Sequence, residues 1–310
     1  MSSINLNIPS SARRGCIAIG NFDGVHRGHV AMLHSLRELA NRAQSPAVVV
    51  TFDPHPIAVL RPEFSPPILT TIRERISLLH KQGADHVVVL PVTSSLLQMT
   101  PQQFFFDVIL KQFEAKGIVE GPNFHFGKDR LGNVDLLKSF CNEEGLSCHI
   151  VASVDTGDQM ISSSRIRELL CSRAMKQAVE LLGHPYRLTG VVRKGAARGR
   201  TIGFPTANLG DIPTLLPAHG VYSGFTTISG QRYPVATSVG PNPTFGEHRE
   251  KIECHIDGFS GDLYNSELSV DLIGEVRSLR SFSSVDELVQ QIKADVEICR
   301  REAVDFVDEL

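Results

Sequence analysis

The stretch that most constrains the fold lies near the start of the chain, where Cys16–His29 reads CIAIGNFDGVHRGH. Its first four residues are apolar, which is typical of a short buried strand. Gly20, Gly24 and Gly28 follow at intervals of four, and apolar residues recur at helical spacing from Val30 onward. A strand, a flexible turn and a helix N-terminus in this order predict a phosphate site, because free N–H groups and the helix dipole point at the anion.

The rest of the first half alternates strand and helix patterns. Apolar runs that predict buried strands occur at Ala47–Thr51, Val87–Leu90, Ile118–Glu120 and His149–Val151. Helical patterns separate these runs and follow the last of them, at Thr71–His80, Pro101–Phe113, Val134–Glu144 and from Ser162 onward. This alternation predicts a Rossmann-like α/β domain, with a parallel sheet and helices on both faces.

The pattern changes after about Gly183. Short alternating segments broken by glycine and proline follow, at Arg187–Val192, Gly220–Ile228, Tyr233–Val239, Lys251–Asp257 and Glu267–Ile273. They predict a small antiparallel β-barrel, which a C-terminal helix over about Val285–Val307 completes. A chain of 310 residues favours two domains, and the change of period places them at residues 1–184 and 185–310.

Composition narrows the class of protein. A net charge of −3 gives no electrostatic reason to expect nucleic acid as a partner. No apolar run approaches the roughly 18 residues of a membrane span, so no membrane partner is expected. The six cysteines form no C-x-x-C pair and no zinc-site cluster, which favours reduced thiols in a cytoplasmic protein. The sequence leaves open whether the chain forms a homo-oligomer.

Two common nucleotide signatures are absent from the first half. No G-x-G-x-x-G follows the first strand, and Gly121–Asp129 (GPNFHFGKD) fails as a P-loop because its glycines are too widely spaced and Asp129 follows the lysine. An H-x-G-H turn is present instead, formed by His26, Gly28 and His29. Metal ligation by the two histidines is the weaker interpretation, because no carboxylate stands at metal spacing on that helix.

Further polar residues complete this first candidate site. Asn123 follows a predicted strand, and the ISSSRIR segment opens a helix with Ser162, Ser163, Ser164 and Arg167. Together with the H-x-G-H turn they resemble the nucleotidylyltransferase superfamily. Such enzymes need positioning and charge neutralisation rather than a protein nucleophile, because a substrate phosphate attacks the α-phosphorus of ATP directly. The histidines would donate hydrogen bonds to the phosphates, Gly28 would let the backbone come close, and Arg167 would add a cation.

The second half carries a separate set of residues. Gly195, Arg198 and Gly199 belong to a basic, glycine-rich loop that suits a nucleotide. Thr206 and Asn208 are two apart, so on an extended segment they face the same side, and their oxygens are hard ligands suited to Mg²⁺. Glu253 lies on an alternating strand, on the face opposite its apolar neighbours, where it is available as a general base.

The motifs in order along the chain resemble the prokaryotic bifunctional riboflavin kinase/FAD synthetase family. The segments that carry the resemblance are GNFDGVHRGH, TFDPHP, GPNFHFG, SSSRIR, PTAN, GVYSG, SVGPNPTFG and the strand with Glu253. It implies that the barrel phosphorylates riboflavin with ATP to FMN, and that the first domain adenylylates FMN with ATP to FAD and pyrophosphate. It implies Mg²⁺ in both reactions, and small-molecule substrates as the partners.

The resemblance also assigns residues that the patterns alone do not. Nucleotide-binding positions of the first domain include Gly20, Phe22 and Gly24. The flavin-binding residues that it implies are His55, Pro56, Arg277, Phe282 and Arg300. His125 stands where the family often has arginine.

Two alternatives differ from the two-reaction enzyme. In one, only one of the two sites is active. In the other, the chain is a non-catalytic module that senses or carries flavin, and its glycine-rich loops are ligand cradles.

Overall fold

The structure, a computed structural model, describes residues 6–156, 159–195, 198–241 and 250–308. The chain divides into two compact units, Met1–Ser162 and Ser163–Leu310. This division places two short helices in the same unit as the barrel. The change from helical to alternating sequence pattern comes about twenty residues after the division, near Gly183. The domain boundary at 184/185 stays a prediction.

The first unit contains a five-stranded parallel sheet in the order β3-β2-β1-β4-β5. Its strands are β1 (Cys16–Ile19), β2 (Ala47–Asp53), β3 (His86–Pro91), β4 (Gly117–Glu120) and β5 (Ser147–Ile150). The helices of this unit are α1 (Arg27–Arg42), α2 (Pro56–Leu60), α3 (Ile72–Lys81), α4 (Ser94–Leu97), α5 (Pro101–Gln103) and α6 (Val134–Glu143). Short 3-10 turns occur at Ser10–Ala12, Pro62–Phe64 and Lys128–Arg130, and a small hairpin pairs β6 (Asp155–Thr156) with β7 (Gln159–Met160).

Both faces of this sheet are covered, as the sequence predicts. Along β1, Ile17 and Ile19 belong to one buried cluster, while Cys16 and Ala18 belong to another. The second cluster includes the buried face of α1, and the first includes α6. All four residues of β1 are buried, which explains why the strand is apolar throughout rather than alternating.

The helix predicted for Pro101–Phe113 is present, but most of it has the hydrogen-bond pattern of a π-helix rather than an α-helix. After α5, the stretch Phe104–Leu110 has π-type pairing. The pairs Phe104–Phe105 and Val108–Ile109 are both buried, so adjacent residues face the core there. This wider buried face suits the looser turn of a π-helix, which sequence periodicity does not distinguish from an α-helix.

The second unit contains a closed barrel in the order β10-β11-β12-β9-β8-β13, and its pairings are antiparallel. The strands are β8 (Tyr186–Arg193), β9 (Ala207–Gly210), β10 (Gly220–Ile228), β11 (Gln231–Gly240), β12 (Lys251–Ile256) and β13 (Glu267–Arg277). The helices are α7 (Ser163–Cys171), α8 (Met175–Leu182), α9 (Arg198–Thr201) and α10 (Val285–Asp308). The barrel with its C-terminal helix confirms the predicted fold class.

Two further observations concern the predicted class of protein. Within the described ranges, every helix is too short or too polar to pass through a lipid bilayer. All six cysteines are unpaired, and Cys16, Cys141, Cys254 and Cys299 are buried. These four thiols are packed within the fold.

Candidate active sites

The first candidate site lies where the strand order of the parallel sheet reverses. β1 has β2 on one side and β4 on the other, so the chain reverses direction across the sheet between β1 and β4. Ligands of open α/β sheets bind at the carboxyl ends of the strands at such a point. The glycine turn follows β1, and the Gly121–Gly127 segment follows β4. Both predicted motifs therefore begin at the same edge of the sheet.

A buried carboxyl group bridges the two strands where they separate. The β1–β4 pairing ends at Ile17 and Ile118, and beyond it the Ile19 N–H donates to Glu120 Oε1 at 2.8 Å. Glu120 is 1% exposed, and burial raises the pKa of its carboxyl well above the usual value. The side chain thus replaces a strand-to-strand bond at the edge where the site begins. The sequence offered one signal for it, an acidic residue at the end of an apolar run.

The glycine turn is anchored by a second buried acid. Asp23 accepts hydrogen bonds from the Leu69 and Thr70 N–H groups at 3.0 Å, and its Oδ1 lies 3.4 Å from Arg75 Nη2. Both charged side chains are buried, which makes the pair costly to break from one side. The sequence does not predict the pairing of Asp23 with Arg75, because the two residues are about fifty positions apart along the chain.

The turn itself has an unusual backbone. Phe22, Gly24 and Val25 all have positive φ, at 48°, 84° and 40°. For a β-branched residue such as Val25 this conformation is strained, and surrounding contacts must hold it. The Gly24 N–H donates to the Thr70 hydroxyl at 3.1 Å, next to the Asp23 bonds. The anchoring by Asp23 therefore maintains a backbone shape that the turn would not adopt alone.

The two histidines of the H-x-G-H turn stack on each other at the start of α1. His26 is the N-cap, and its Nδ1 accepts the His29 N–H at 3.4 Å, which leaves its proton on Nε2. The rings are 3.6 Å apart between centroids and nearly parallel. A Cβ on Gly28 would lie 3.2 Å from the His26 ring, closer than most real contacts, so the glycine permits the stack.

The surroundings of His29 favour its neutral form. Desolvation first, then the nearby His26 and Arg75, lower the pKa of His29 well below its usual value. Its Nδ1 is buried and has no hydrogen-bond partner within the described part of the chain. Neutral imidazoles can each donate one N–H to an anion. The positive charge for phosphate must therefore come from other groups.

A cavity of about 360 Å³ adjoins the turn in the same unit. Four of the predicted site residues line it, namely Gly20, His55, Pro56 and Asn123. Four aromatic residues also line it, namely Phe52, Phe104, Phe124 and Phe126. The cavity thus joins one end of the glycine turn to an aromatic pocket.

Polar contacts fix the side chains around this cavity. Asn21 Nδ2 lies 2.9 Å from His55 Nε2, and Asn123 Nδ2 donates to the Met160 sulfur at 3.4 Å. His125 Nδ1 donates to the Asn123 carbonyl oxygen at 2.9 Å. Arg130 lines the same cavity, with Nη2 3.3 Å from His125 Nδ1. A cation therefore stands beside His125, at a position that no sequence motif marks.

The serine-rich segment crosses the division between the two units. Ser162 ends the first unit, and α7 begins at Ser163 in the second, with Ser164 and Arg167 on the same helix. Within the first unit, the Ile161 carbonyl oxygen would lie 3.7 Å from a Cβ on Gly28. The residue before the serines is therefore close to the histidine turn.

In the barrel, register places the predicted base beside a predicted metal ligand. Glu253 on β12 is directly opposite Asn208 on β9. The burial of β12 alternates, with Ile252, Cys254 and Ile256 buried and Glu253 and His255 less so. This confirms the predicted face of Glu253, and His255 lies on the same face of the strand. Cross-strand neighbours lie about 5 Å apart at Cβ, so Glu253 and Asn208 can act on one ligand.

The glycine loop packs directly on these residues. A Cβ on Gly195 would lie 2.7 Å from Asn208 Cγ, and a Cβ on Gly199 would overlap the Phe204 carbonyl oxygen. The same hypothetical Cβ on Gly199 would lie 3.5 Å from Thr206 Oγ1. Arg198 begins the short helix α9 within the loop. The loop backbone thus lies against Thr206 and Asn208, as a phosphate cradle requires.

The predicted flavin residues of the barrel unit are engaged in ion pairs. Arg277 Nε lies 2.9 Å from Asp295 Oδ2, and the Arg277 guanidinium lies 5.6 Å from the Phe282 ring centre. Arg300 forms a bidentate ion pair with Asp257, in which Nε donates to Oδ2 at 2.5 Å and Nη2 donates to Oδ1 at 2.8 Å. The structure thus brings Arg277 and Phe282 together, whereas Arg300 ties α10 to the end of β12. Flavin contact by these three residues stays a prediction.

Comparison with known proteins matches each half of the chain to a described family. A family model described as FAD synthetase matches residues 8–165, and one described as riboflavin kinase matches residues 182–303. A bifunctional riboflavin kinase/FMN adenylyltransferase of Escherichia coli is 34% identical over 298 residues, covering 96% of this chain and 95% of its own. The chain belongs to the bifunctional riboflavin kinase/FMN adenylyltransferase family.

Two further proteins are similar to the chain over nearly its full length. The enzyme of the same description from Pseudomonas fluorescens is 34% identical over 289 residues, with 93% of each chain covered. A solved structure named as a macrolide-efflux protein from Streptococcus pneumoniae superimposes with a TM-score of 0.83, at 34% identity and with 96% of each chain covered. Family membership favours the enzyme over the flavin-carrier alternative.

Proposed function

We propose that this chain makes FAD from riboflavin in two ATP-dependent steps, at a separate site in each compact unit. The observation that carries the proposal is that each unit has its own glycine segment packed beside its own polar side chains. In the barrel unit, Gly195 lies against Asn208, and Glu253 faces Asn208 across the strands. In the first unit, Gly28 lies against His26 in the stacked histidine turn.

The barrel would perform the first step. The riboflavin 5′-hydroxyl attacks the γ-phosphorus of ATP, a new P–O bond forms, and ADP leaves. Glu253 takes the hydroxyl proton, because it faces Asn208 on the neighbouring strand. Gly195, Arg198 and Gly199 hold the nucleotide phosphates, and Arg277, Phe282 and Arg300 stay the predicted flavin side.

Thr206 and Asn208 are the residues that would hold Mg²⁺ in this site. They fit the ion because their hydroxyl and amide oxygens are hard ligands, and because the loop at Gly195 and Gly199 leaves no room for side chains beside them. When bound with ATP, Mg²⁺ neutralises phosphate charge. A divalent ion shared with nucleotide phosphates needs only one or two protein ligands.

The first unit would perform the second step. An FMN phosphate oxygen attacks the α-phosphorus of a second ATP, the bond between its α- and β-phosphates breaks, and pyrophosphate leaves. His26 and His29 donate N–H bonds to phosphate oxygens, while the turn with Gly20, Phe22, Gly24 and Gly28 lets the backbone approach them. Since the surroundings of His29 favour its neutral form, the positive charge would have to come from other groups, and Arg167 stays the predicted cation. Ser162, Ser163 and Ser164 stay predicted phosphate contacts.

The cavity beside this turn suits FMN. Its phenylalanine side chains suit the flat isoalloxazine ring, and Gly20 of the glycine turn lines the same cavity. His55, Pro56 and Asn123 line it, in agreement with their predicted roles. The cytoplasmic location rests on the unpaired cysteines and stays a prediction, as does a homo-oligomer.

Two substitutions test the assignment of each reaction to its own site. Glu253→Gln removes the base and should lower riboflavin phosphorylation about 10²–10⁴-fold, while added FMN is still converted to FAD. His29→Ala should give the opposite result, so that riboflavin is converted only to FMN. Chromatography of the products made from riboflavin, FMN and MgATP measures both steps. Loss of both activities in either folded variant would contradict separate sites, and recovery of unchanged riboflavin from the unsubstituted protein would contradict the enzyme.

A further inference from the structure

A histidine on the catalytic face of β12 contacts the segment that carries the predicted metal ligands. His255 Nδ1 lies 2.9 Å from the Pro205 carbonyl oxygen. A carbonyl only accepts, so Nδ1 carries a proton and donates it. Pro205 directly precedes Thr206. The hydrogen bond therefore ends one residue away from a predicted Mg²⁺ ligand.

The position of this bond coincides with the end of a β-ladder. The β12–β9 pairing runs from Ile252 opposite Leu209 to Cys254 opposite Ala207, and goes no further. The same register would place Thr206 opposite His255, beyond the last paired residue. The described strand pairings therefore do not include Thr206, and the His255 side chain supplies a bond next to it.

The ring of His255 makes a second contact with the same segment. It meets the Phe204 ring edge-on, with 5.3 Å between centroids and 69° between the planes. On the other side, the Phe204 N–H donates to the Gly199 carbonyl oxygen at 2.8 Å, which ties the segment to the glycine loop. The Phe204–Pro205 segment is thus held between the loop and His255.

We infer that His255 is a positioning residue of the riboflavin kinase site. By binding the Pro205 carbonyl it orients the Thr206 hydroxyl toward the phosphate and metal position next to Asn208. It touches neither substrate nor the reacting atoms, and its effect passes through Thr206. The inference rests on the proposed kinase site. Loss of a residue that orients a metal ligand typically lowers activity or metal affinity about 10–100-fold.

Three substitutions separate the hydrogen bond from simple packing. His255→Asn keeps an N–H donor close to the position of Nδ1, whereas His255→Gln moves its donor toward the position of Nε2. His255→Phe keeps a ring against Phe204 but has no donor. We expect the Phe and Gln variants to lose about 10–100-fold in kcat for riboflavin phosphorylation and to need more Mg²⁺ for half-maximal rate. The Asn variant should stay within about threefold of the unsubstituted protein.

The full-length protein provides its own folding control. FMN adenylylation should be unchanged in all three variants, because the other unit carries that reaction, and a cooperative thermal unfolding transition in each variant shows that the barrel is folded. Equal activity of the Phe variant and the unsubstituted protein, or equal loss in the Asn and Phe variants at an unchanged Mg²⁺ requirement, would overturn the inference.

Thr206→Ala and Glu253→Gln distinguish failure of the proposed kinase site from failure of the role of His255. If both keep kinase activity the proposed site is wrong, and if both lose it while the Phe variant does not, only the role of His255 fails.

Discussion

At the scale of single residues, Glu120 shows how a buried acid stabilises the edge of a binding site. Its carboxyl accepts the Ile19 N–H between two strands, and burial raises its pKa well above the usual value. A raised acid pKa means that the folded state holds a proton that the unfolded chain has already released. The stabilisation is therefore complete below the unfolded pKa, about 4.3, and is lost as the pH rises through the folded pKa.

Substitutions of Glu120 should reproduce this dependence. Glu120→Gln keeps an oxygen acceptor without a charge, so it should be more stable than the unsubstituted protein by about 1 kcal/mol or more at pH 8, with the difference vanishing near pH 4. Glu120→Leu also removes the acceptor, and should be about 1–3 kcal/mol less stable than the Gln variant at both pH values. Urea unfolding at the two pH values measures these differences. A Gln variant that is less stable at pH 8 than at pH 4, relative to the unsubstituted protein, would show that the carboxyl is charged in the fold.

Residue-scale prediction from sequence had a clear limit. Motif residues such as His26, Gly28 and Glu253 could be proposed as site residues, because their chemistry and spacing are local. Asp23 and Arg75 could not, because their pairing depends on a segment brought back from elsewhere by the fold. The same holds for Arg130, whose position beside His125 follows from a 3-10 turn that periodicity does not predict.

At the scale of elements, the basic glycine loop of the barrel owes its glycines to close packing rather than to flexibility alone. A Cβ on Gly195 would press on Asn208, and a Cβ on Gly199 would overlap the Phe204 carbonyl oxygen. Gly203 lies in the same stretch but would meet nothing within 4 Å, although its φ is +87°. Gly195 and Gly199 are therefore required by close contacts, whereas Gly203 is required only by its backbone conformation.

Alanine at these positions should give unequal effects. Gly195→Ala and Gly199→Ala push the loop away from the metal-ligand pair, so the KM for MgATP in riboflavin phosphorylation should rise about tenfold or more, equivalent to about 1.4 kcal/mol. Gly203→Ala costs only the strain of a positive φ, of order 1 kcal/mol in stability, and should leave the KM within about threefold. Steady-state kinetics with riboflavin and varied MgATP compares them. An equal effect at all three positions would mean that general loop flexibility, rather than packing, sets the affinity.

Prediction of elements from sequence succeeded where periodicity and burial agree. The strand predicted at Gly220–Ile228 has these bounds in the structure, and the final helix runs to Asp308 rather than Val307. Short elements such as α2 and α4 were not predicted, since each spans only about one helical turn and carries no period. The strand β9 was described only as extended, because its four residues give too little alternation to mark a strand.

At the scale of the whole molecule, one chain carries two reactions that share an intermediate, FMN. Each unit has its own core and its own candidate site, so neither reaction needs the other to be active. A mixture of the Glu253→Gln and His29→Ala proteins should therefore make FAD from riboflavin and MgATP, although neither protein does so alone. Chromatography of the mixture measures FAD. If the mixture makes only FMN, while the Glu253→Gln protein converts added FMN to FAD, then FMN is not released between the sites.

At both candidate sites a side-chain to backbone hydrogen bond lies next to the end of a strand pairing. Glu120 binds the Ile19 N–H where β1 and β4 separate, and His255 binds the Pro205 carbonyl where β12 and β9 end. In each case the side chain joins two strands just beyond their last paired residues, whereas other strand pairs such as β1 and β2 stay paired up to the same edge. Local openings of low free energy should begin at these edges. The Ile19 amide should therefore exchange its hydrogen with solvent through small openings at the ligand edge, long before the paired amides in the middle of the sheet exchange through global unfolding.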